Sequence, residues 1–337
     1  MSLQKLSETM LPVIEQELQK AITQTHQPGL EDMLAMMTYH MGWEGEGAGP
    51  EARGKRIRPL LVLLCAAAAG GDWLGALPGA VAVELVHNFS LVHDDIQDQS
   101  PLRRGRATLW TRCGIAQALN TGDTLFVLAQ LAVLRLAETV SSQAALAAAS
   151  VLQETCLALT QGQYLDLSYV GRVDLSEADY WPMVQGKTAA LLEACTYIGA
   201  LCAQAQPAVC QTYREFGNLL GLAFQVQDDL LGIWGDAAST GKSTASDLVS
   251  GKKTLPALYG LSQHGLFARR WAQGSIQPDE VPALAAQLEA EGARRYVSAR
   301  ADQLTGQALE KLEQAQPTGE AGAALTELAR YLLKREN

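Results

Sequence analysis

The chain has 337 residues, enough for one large domain or two of ordinary size. Apolar residues make up 48%, aromatics only 6% and charged residues 18%, and the dominance of Ala and Leu over β-branched types favours packed helices over sheet. A formal net charge of −10 argues against nucleic acid as the main partner, and the longest apolar run, residues 60–69, falls short of the ~20 residues a membrane span needs.

Apolar residues recur at three- and four-residue spacing almost throughout, which predicts helices near 3–22, 28–40, 57–69, 78–98, 113–138, 143–164, 176–182, 187–203, 207–235, 254–263, 279–290, 293–313 and 319–334. No convincing period-two stretch competes with them. The first helix is amphipathic and carries acidic residues, unlike a secretory leader, so a cytoplasmic protein is expected. The most loop-like segments are 41–54, 99–107, 168–174 and 235–253, and no Gly-Pro-Ser tract separates two domains; a single domain over 1–337 is expected. Cys65, Cys113, Cys156, Cys195, Cys202 and Cys210 show no CxxC pair and no metal spacing with His, which reads as small buried side chains in a reducing compartment.

Charge gathers at a few points along this apolar chain. Gly54-Lys55-Arg56-Ile57-Arg58-Pro59 sets three cations after a Gly-rich loop, a composition that suits an anion. The stretch 78–98 is apolar on most faces, as in the centre of a bundle, yet ends in Asp94, Asp95 and Asp98. Asp94 and Asp98 are four apart and share one helix face, where carboxylates repel and a helix C-terminus already favours cations. Such an arrangement is sensible when cations are supplied. Oxygen-only ligands with no Cys nearby point to a hard ion, Mg2+ before Zn2+, and Mg2+ characteristically takes one or two carboxylates together with substrate phosphate oxygens. Glu84-x-x-His87 has the spacing of di-iron bundles, but no other His has a Glu three residues before it, so that chemistry is set aside.

Arg103-Arg104-Gly105 follows the first acidic cluster, and these arginines can pair with its carboxylates or grip phosphates beside them. Gly186-Lys187-Thr188 is expected at a helix start, where free N–H groups attract anions. The stretch 207–235 repeats the earlier pattern: Gln225-Val226-Gln227-Asp228-Asp229-Leu230 on an apolar helix, then a polar loop carrying Lys242, Lys252 and Lys253. That loop lacks P-loop spacing and a preceding strand.

This ordered series, spanning roughly 50–260, resembles the trans-isoprenyl diphosphate synthases, the polyprenyl synthetase family, and within it a geranylgeranyl or farnesyl diphosphate synthase. The matches are the GKRxRP element at 54–59, DDIQD at 94–98 followed by Arg103-Arg104-Gly105, Lys187-Thr188, FQVQDD at 224–229, and Gly241-Lys242, Asp247-Leu248 and Lys252-Lys253. The resemblance implies an all-α, single-domain helical bundle of the isoprenoid synthase type with a central active-site cavity, acting as a homodimer. It implies Mg2+, three ions, on Asp94, Asp98 and Asp228, with Asp95 and Asp229 in support. Arg103, Lys187 and Lys242 would grip the allylic diphosphate, and Lys55, Arg58, His87 and Arg104 would hold isopentenyl diphosphate. Thr188, Gln225 and Lys252 would shape the allylic end.

The implied chemistry is ionisation of an allylic diphosphate and head-to-tail, trans attack by isopentenyl diphosphate inside walls that exclude water. The second cluster departs from the family: Gly232 stands where many relatives carry a third aspartate. Phe89 and Ser90, five and four positions before Asp94, are expected to set product length, one large and one small residue favouring geranylgeranyl over farnesyl diphosphate. A terpene cyclase would need an Asn/Asp-x-x-Ser/Thr-x-x-x-Glu motif in place of the second Asp-Asp pair, and a non-catalytic subunit of a heteromeric synthase would be expected to lose first-cluster aspartates, which are all present.

Overall fold

A computed structural model describes residues 3–235 and 246–333. Gly241 and Lys242 lie outside the described residues. Among the described residues 78% are helical and 1% are in strands, so the all-α expectation holds. By internal contacts the chain divides into two compact units, Met1–Cys156 with Ala194–Arg214 and Ala315–Glu327, and Leu157–Glu193 with Glu215–Gln314 and Leu328–Asn337.

In the first unit the Leu77–Gln97 helix is buried along most of its length, from Pro78 through Val86 and on to Asn88, Phe89, Val92 and Asp95. By length and composition the 73–97 stretch could cross a bilayer, but 72% of its apolar window is buried inside the protein, as in a core helix. The Ile57–Ala68 and Leu109–Leu134 helices are its neighbours, and the latter starts earlier than the sequence suggests, across a non-helical Gly114. Two charges inside this core are paired. Buried Arg56 donates to Glu84 Oε1 at 2.8 Å, to Glu15 Oε1 at 2.6 Å and to the Met41 carbonyl at 3.1 Å. The middle cation of the 54–59 stretch is therefore an internal strut, because burial without those partners would cost several kcal/mol. Periodicity missed one small element: Leu102–Arg103 pairs antiparallel with Arg106–Ala107 around Arg104 and Gly105, whose φ values of 51° and 73° suit a tight hairpin turn.

In the second unit, one core joins Tyr180, Val226, Leu255, Leu258 and Val297, and another joins Ile233, Leu248, Phe267 and Leu288. The Leu266–Trp271 helix in the latter was too short to show as a period. The expectation of a helix start at Gly186-Lys187-Thr188 is corrected. The Glu177–Val184 helix runs into a π turn, Gln185–Ala189, and on into Ala190–Cys202, so these residues interrupt a helical run. All six cysteines are free, five of them buried and Cys113 half-buried.

Candidate active site

The first acidic cluster closes the Leu77–Gln97 helix, with Asp98 as its C-cap. Its three carboxylates occupy different environments: Asp94 is half-buried, Asp95 buried and Asp98 exposed. Asp95 turns back to the hairpin, where Arg103 grips it through Nη2 at 2.7 Å and Nε at 2.8 Å. Burial pushes the Asp95 carboxyl up while the Arg103 guanidinium opposes that shift. Arg103 thus has the carboxylate pairing that was one of its two sequence readings. The same hairpin aims Arg104 across the chain, where its Nη1 donates to the Ala52 carbonyl at 2.9 Å and its guanidinium covers Gly54 so closely that a Cβ there would lie 2.6 Å from Nη2.

Arg58 and His87 meet. Arg58 Nη1 lies 3.2 Å from His87 Nε2, and since a guanidinium can only donate, that nitrogen accepts and the proton sits on Nδ1. Burial, then the charges of Arg58, Arg104, Arg103 and Arg56, hold His87 well below its ordinary pKa, so it is neutral. Arg58, Arg104 and His87, three of the four residues expected at isopentenyl diphosphate, therefore share one electropositive neighbourhood, and burial lowers the pKa of both arginines. Arg58 and His87 are half-buried and Arg104 is exposed, so this concentration of positive charge is open to an anion from solution. Lys55, the fourth, is exposed. His40 belongs to the same neighbourhood without having been singled out in the sequence. It lines a small cavity with Leu91, Asp95, Arg103 and Arg104, its buried Nε2 has no hydrogen-bond partner, and burial followed by the arginine charges lowers its pKa to about 3.

The second cluster lies on the Pro207–Trp234 helix. Asp229 is buried and accepts from Tyr180 Oη at 2.8 Å, the Leu255 backbone N–H at 2.9 Å and Gln225 Nε2 at 2.9 Å. Burial raises its pKa to about 7 against those donors. Gln225 in turn accepts from Thr188 Oγ1 at 2.7 Å, which ties the π turn to the acidic helix. Asp228, its neighbour, is half-buried. Each Asp-Asp pair is thus divided alike: the inner carboxylate (Asp95, Asp229) is engaged with protein donors, while Asp94 and Asp228 sit nearer the surface.

Lys187 is ion-paired with Asp166, which the sequence reading overlooked. The π turn bearing Lys187 packs against Gly162 so tightly that a Cβ there would lie 2.2 Å from the Lys187 nitrogen. A signal existed, because 161–167 reads QGQYLDL, an isolated carboxylate between leucines one turn after a glycine. Lys253 is buried, donates to the Val170 carbonyl at 3.0 Å and lies over the Trp271 ring, which makes it structural; Lys252 is half-buried. Phe89 is buried edge-on to Phe126 at 5.2 Å and to His93 at 5.7 Å, and Ser90 Oγ donates to the His87 carbonyl at 2.8 Å.

Among the described residues no three His, Cys, Asp or Glu side chains form a metal cage. The donor set still suits Mg2+: carboxylate oxygens only, two of them one turn apart at a helix C-terminus, with coordination left for waters and phosphate oxygens.

An all-helical fold carrying two Asp-Asp helices and clustered arginines defines a class of prenyl-transferring enzymes, and comparison with known proteins agrees. The sequence model of the polyprenyl synthetase family matches residues 49–285, and the chain belongs to that family. It is 40% identical over 314 residues to a (2E,6E)-farnesyl diphosphate synthase of Mycobacterium bovis, covering 90% of this chain and 86% of that one. It is also 42% identical over 244 residues to a geranylgeranyl diphosphate synthase of Mycobacterium tuberculosis, covering 72% and 69%. The crystal structure of a polyprenyl synthetase from Streptomyces coelicolor A3(2) matches with a TM-score of 0.88 and 35% identity over 98% of this chain and 99% of that one. The chain is a short-chain trans-prenyltransferase.

Proposed function

We propose that this enzyme is Mg2+-dependent and condenses isopentenyl diphosphate with allylic diphosphates, giving mainly geranylgeranyl diphosphate. The observation that carries the reading is the shared division of labour within the two acidic pairs. Asp95 and Asp229 are engaged with Arg103 and with Tyr180, Gln225 and Leu255, which fixes the backbone that presents Asp94, Asp98 and Asp228. Those three are the proposed ligands of the Mg2+ ions, three in number, and the single domain over 1–337 would act as one catalytic body. Bound there, Mg2+ would supply charge to neutralise a leaving diphosphate.

The residues then divide by substrate. Arg103, Lys187 and Lys242 hold the allylic diphosphate, and Lys55, Arg58, His87 and Arg104 hold isopentenyl diphosphate. Neutral His87 contributes a donor at Nδ1 without adding to the repulsion among the arginines. As the allylic C–O bond breaks, its electron pair leaves with the diphosphate, and the cation is captured by the isopentenyl double bond held beside it. Loss of a proton to the departing diphosphate completes the new C–C bond. Thr188 and Gln225, bonded to each other, and Lys252 line the allylic end, and apolar helix walls keep water from the cation.

Phe89 closes the chain tunnel late enough for twenty carbons, with Ser90 giving room beside it. Farnesyl diphosphate is the second reading, favoured by the 40% identity to a relative of that name. We further propose a cytoplasmic homodimer. Ile115, Val127, Leu131 and Leu134 on the Leu109–Leu134 helix are each more than half exposed, at 55%, 52%, 53% and 60%, an apolar face suited to a second copy. Incubation with MgCl2, isopentenyl diphosphate and geranyl or farnesyl diphosphate, followed by chromatography, tests the activity. Linear C20 diphosphate formed with MgCl2 and abolished by EDTA supports the reading; cyclic hydrocarbons or no turnover overturn it.

A further inference from the structure

Glu84-x-x-His87 has the spacing of a metal-binding helix without the second copy such a site needs. The structure gives the pair another use. Glu84 and His87 lie about one turn apart on the Leu77–Gln97 helix, about 4.5 Å along its axis, and each holds one arginine of the 54–59 element. Arg56 Nη1 donates to Glu84 Oε1 at 2.8 Å, and Arg58 Nη1 donates to His87 Nε2 at 3.2 Å. Two attachments fix both the position and the rotation of the element against the helix, where one would let it pivot.

The inner attachment is braced from several sides. Arg56 and Glu84 are buried, and Asn88, also buried, donates through Nδ2 to the same Glu84 Oε1 at 3.0 Å. Glu15 accepts from Arg56 Nε at 2.6 Å and, on its other oxygen, from Trp43 Nε1 at 2.7 Å. The backbone needs this hold. Arg56 has φ 46° and ψ 38°, a left-handed conformation that a residue with a Cβ adopts only at a cost, and it caps the N-terminus of the Ile57–Ala68 helix. Its angles therefore set the direction in which that helix starts and in which Arg58, two residues on, projects. Lys55, on the other side of Arg56, is exposed. Among the described residues the buried Arg58 Nε has no hydrogen-bond partner, so the outer arginine keeps a donor that the protein itself does not use.

We propose that Glu84 and Arg56 are positioning residues for isopentenyl diphosphate. Their buried ion pair holds the left-handed turn at 56, and the turn sets Arg58 against His87 and leaves Lys55 at the surface. Both act through the residues beside them and not by contact with the diphosphate. This assignment deepens the isopentenyl diphosphate site proposed above, formed by Lys55, Arg58, His87 and Arg104, and rests on it. A weaker partner at either position frees the turn to relax towards the right-handed region and swings Arg58 away from His87.

Steady-state assay with MgCl2, geranyl diphosphate and isopentenyl diphosphate tests it, because the two substrates are read separately. Glu84→Gln and Arg56→Lys should each raise KM for isopentenyl diphosphate about 10-fold or more, with KM for geranyl diphosphate changed less than about 2-fold. Arg56→Lys keeps a cation against both carboxylates, so it serves as the test if Glu84→Gln does not fold. Leu136→Ala opens a cavity beside Gly79, near the start of the same helix and away from the pair. It should lower the melting temperature and leave both constants as in the wild type, which separates positioning from loss of stability. An unchanged KM for isopentenyl diphosphate in the pair variants, equal rises for both substrates, or the same rise in Leu136→Ala overturns the proposal. Arg58→Gln shows which statement has failed. If it too leaves KM for isopentenyl diphosphate unchanged, the proposed site at 54–59 falls as well; if it raises that constant, only the role of Glu84 and Arg56 falls.

Discussion

Arg103 and Asp95 form a forked ion pair, with Nη2 2.7 Å and Nε 2.8 Å from the same carboxylate oxygen, that joins the hairpin to the end of the core helix. Arg103→Lys keeps the charge but loses the planar fork, so Asp95 and the neighbouring Asp94 would no longer be held in register. We expect turnover to fall about 10-fold or more, with the melting temperature little changed because Arg103 is partly exposed. Steady-state assay beside thermal denaturation checks both halves of the statement.

Asp229 has the opposite balance. Its replacement by Ala would strand the Tyr180 hydroxyl and the Leu255 N–H in the core, which should destabilise the protein by about 3 kcal/mol. Urea denaturation measures this directly, and a loss under about 1 kcal/mol would show that water replaces the carboxylate.

Product length offers a third check. Phe89 is buried with its ring edge-on to Phe126 and His93, contacts that favour the observed position of the ring. Phe89→Ala should lengthen the product beyond that of the wild type, and Phe126→Ala should do so to a smaller degree by loosening those contacts. Chromatography of products from one allylic starter decides it; an unchanged distribution in Phe89→Ala removes Phe89 from the role.

The fourth expectation concerns pH. With its pKa lowered to about 3 by burial and the arginines, His40 binds its proton in the unfolded chain but not in the folded one between about pH 3 and 6.5. Stability from this group is full above pH 6.5 and is lost as the pH falls, by at most about 1.4 kcal/mol per pH unit. His40→Gln should flatten the stability profile between pH 7 and 5, measured by urea titration at each pH. A slope equal to that of the wild type would show that His40 is not enclosed.

Much of the site was legible in the sequence because its residues are close neighbours along the chain. Asp94 and Asp98 share a face by helix period alone, and opposed charge beside apolar runs marks a place where ions or anionic substrate are wanted. Gln225, Asp228 and Asp229 declared themselves in the same way. The short hairpin did not, since two-residue strands carry no period, and the π turn at Gln185–Ala189 is indistinguishable from a helix start until its hydrogen bonds are seen.

The sequence by itself determined the helical class, the family and the residue types of both acidic clusters, because periodicity and local charge are properties of the chain. Only the tertiary structure decided which charges are struts and which remain for function. Arg56, Lys253 and Asp229 are engaged by partners far away in sequence, as is Lys187 by Asp166, and no spacing rule reports a contact made by packing. The same holds for Gly232, whose closeness to the Asp247 carboxylate no spacing reports.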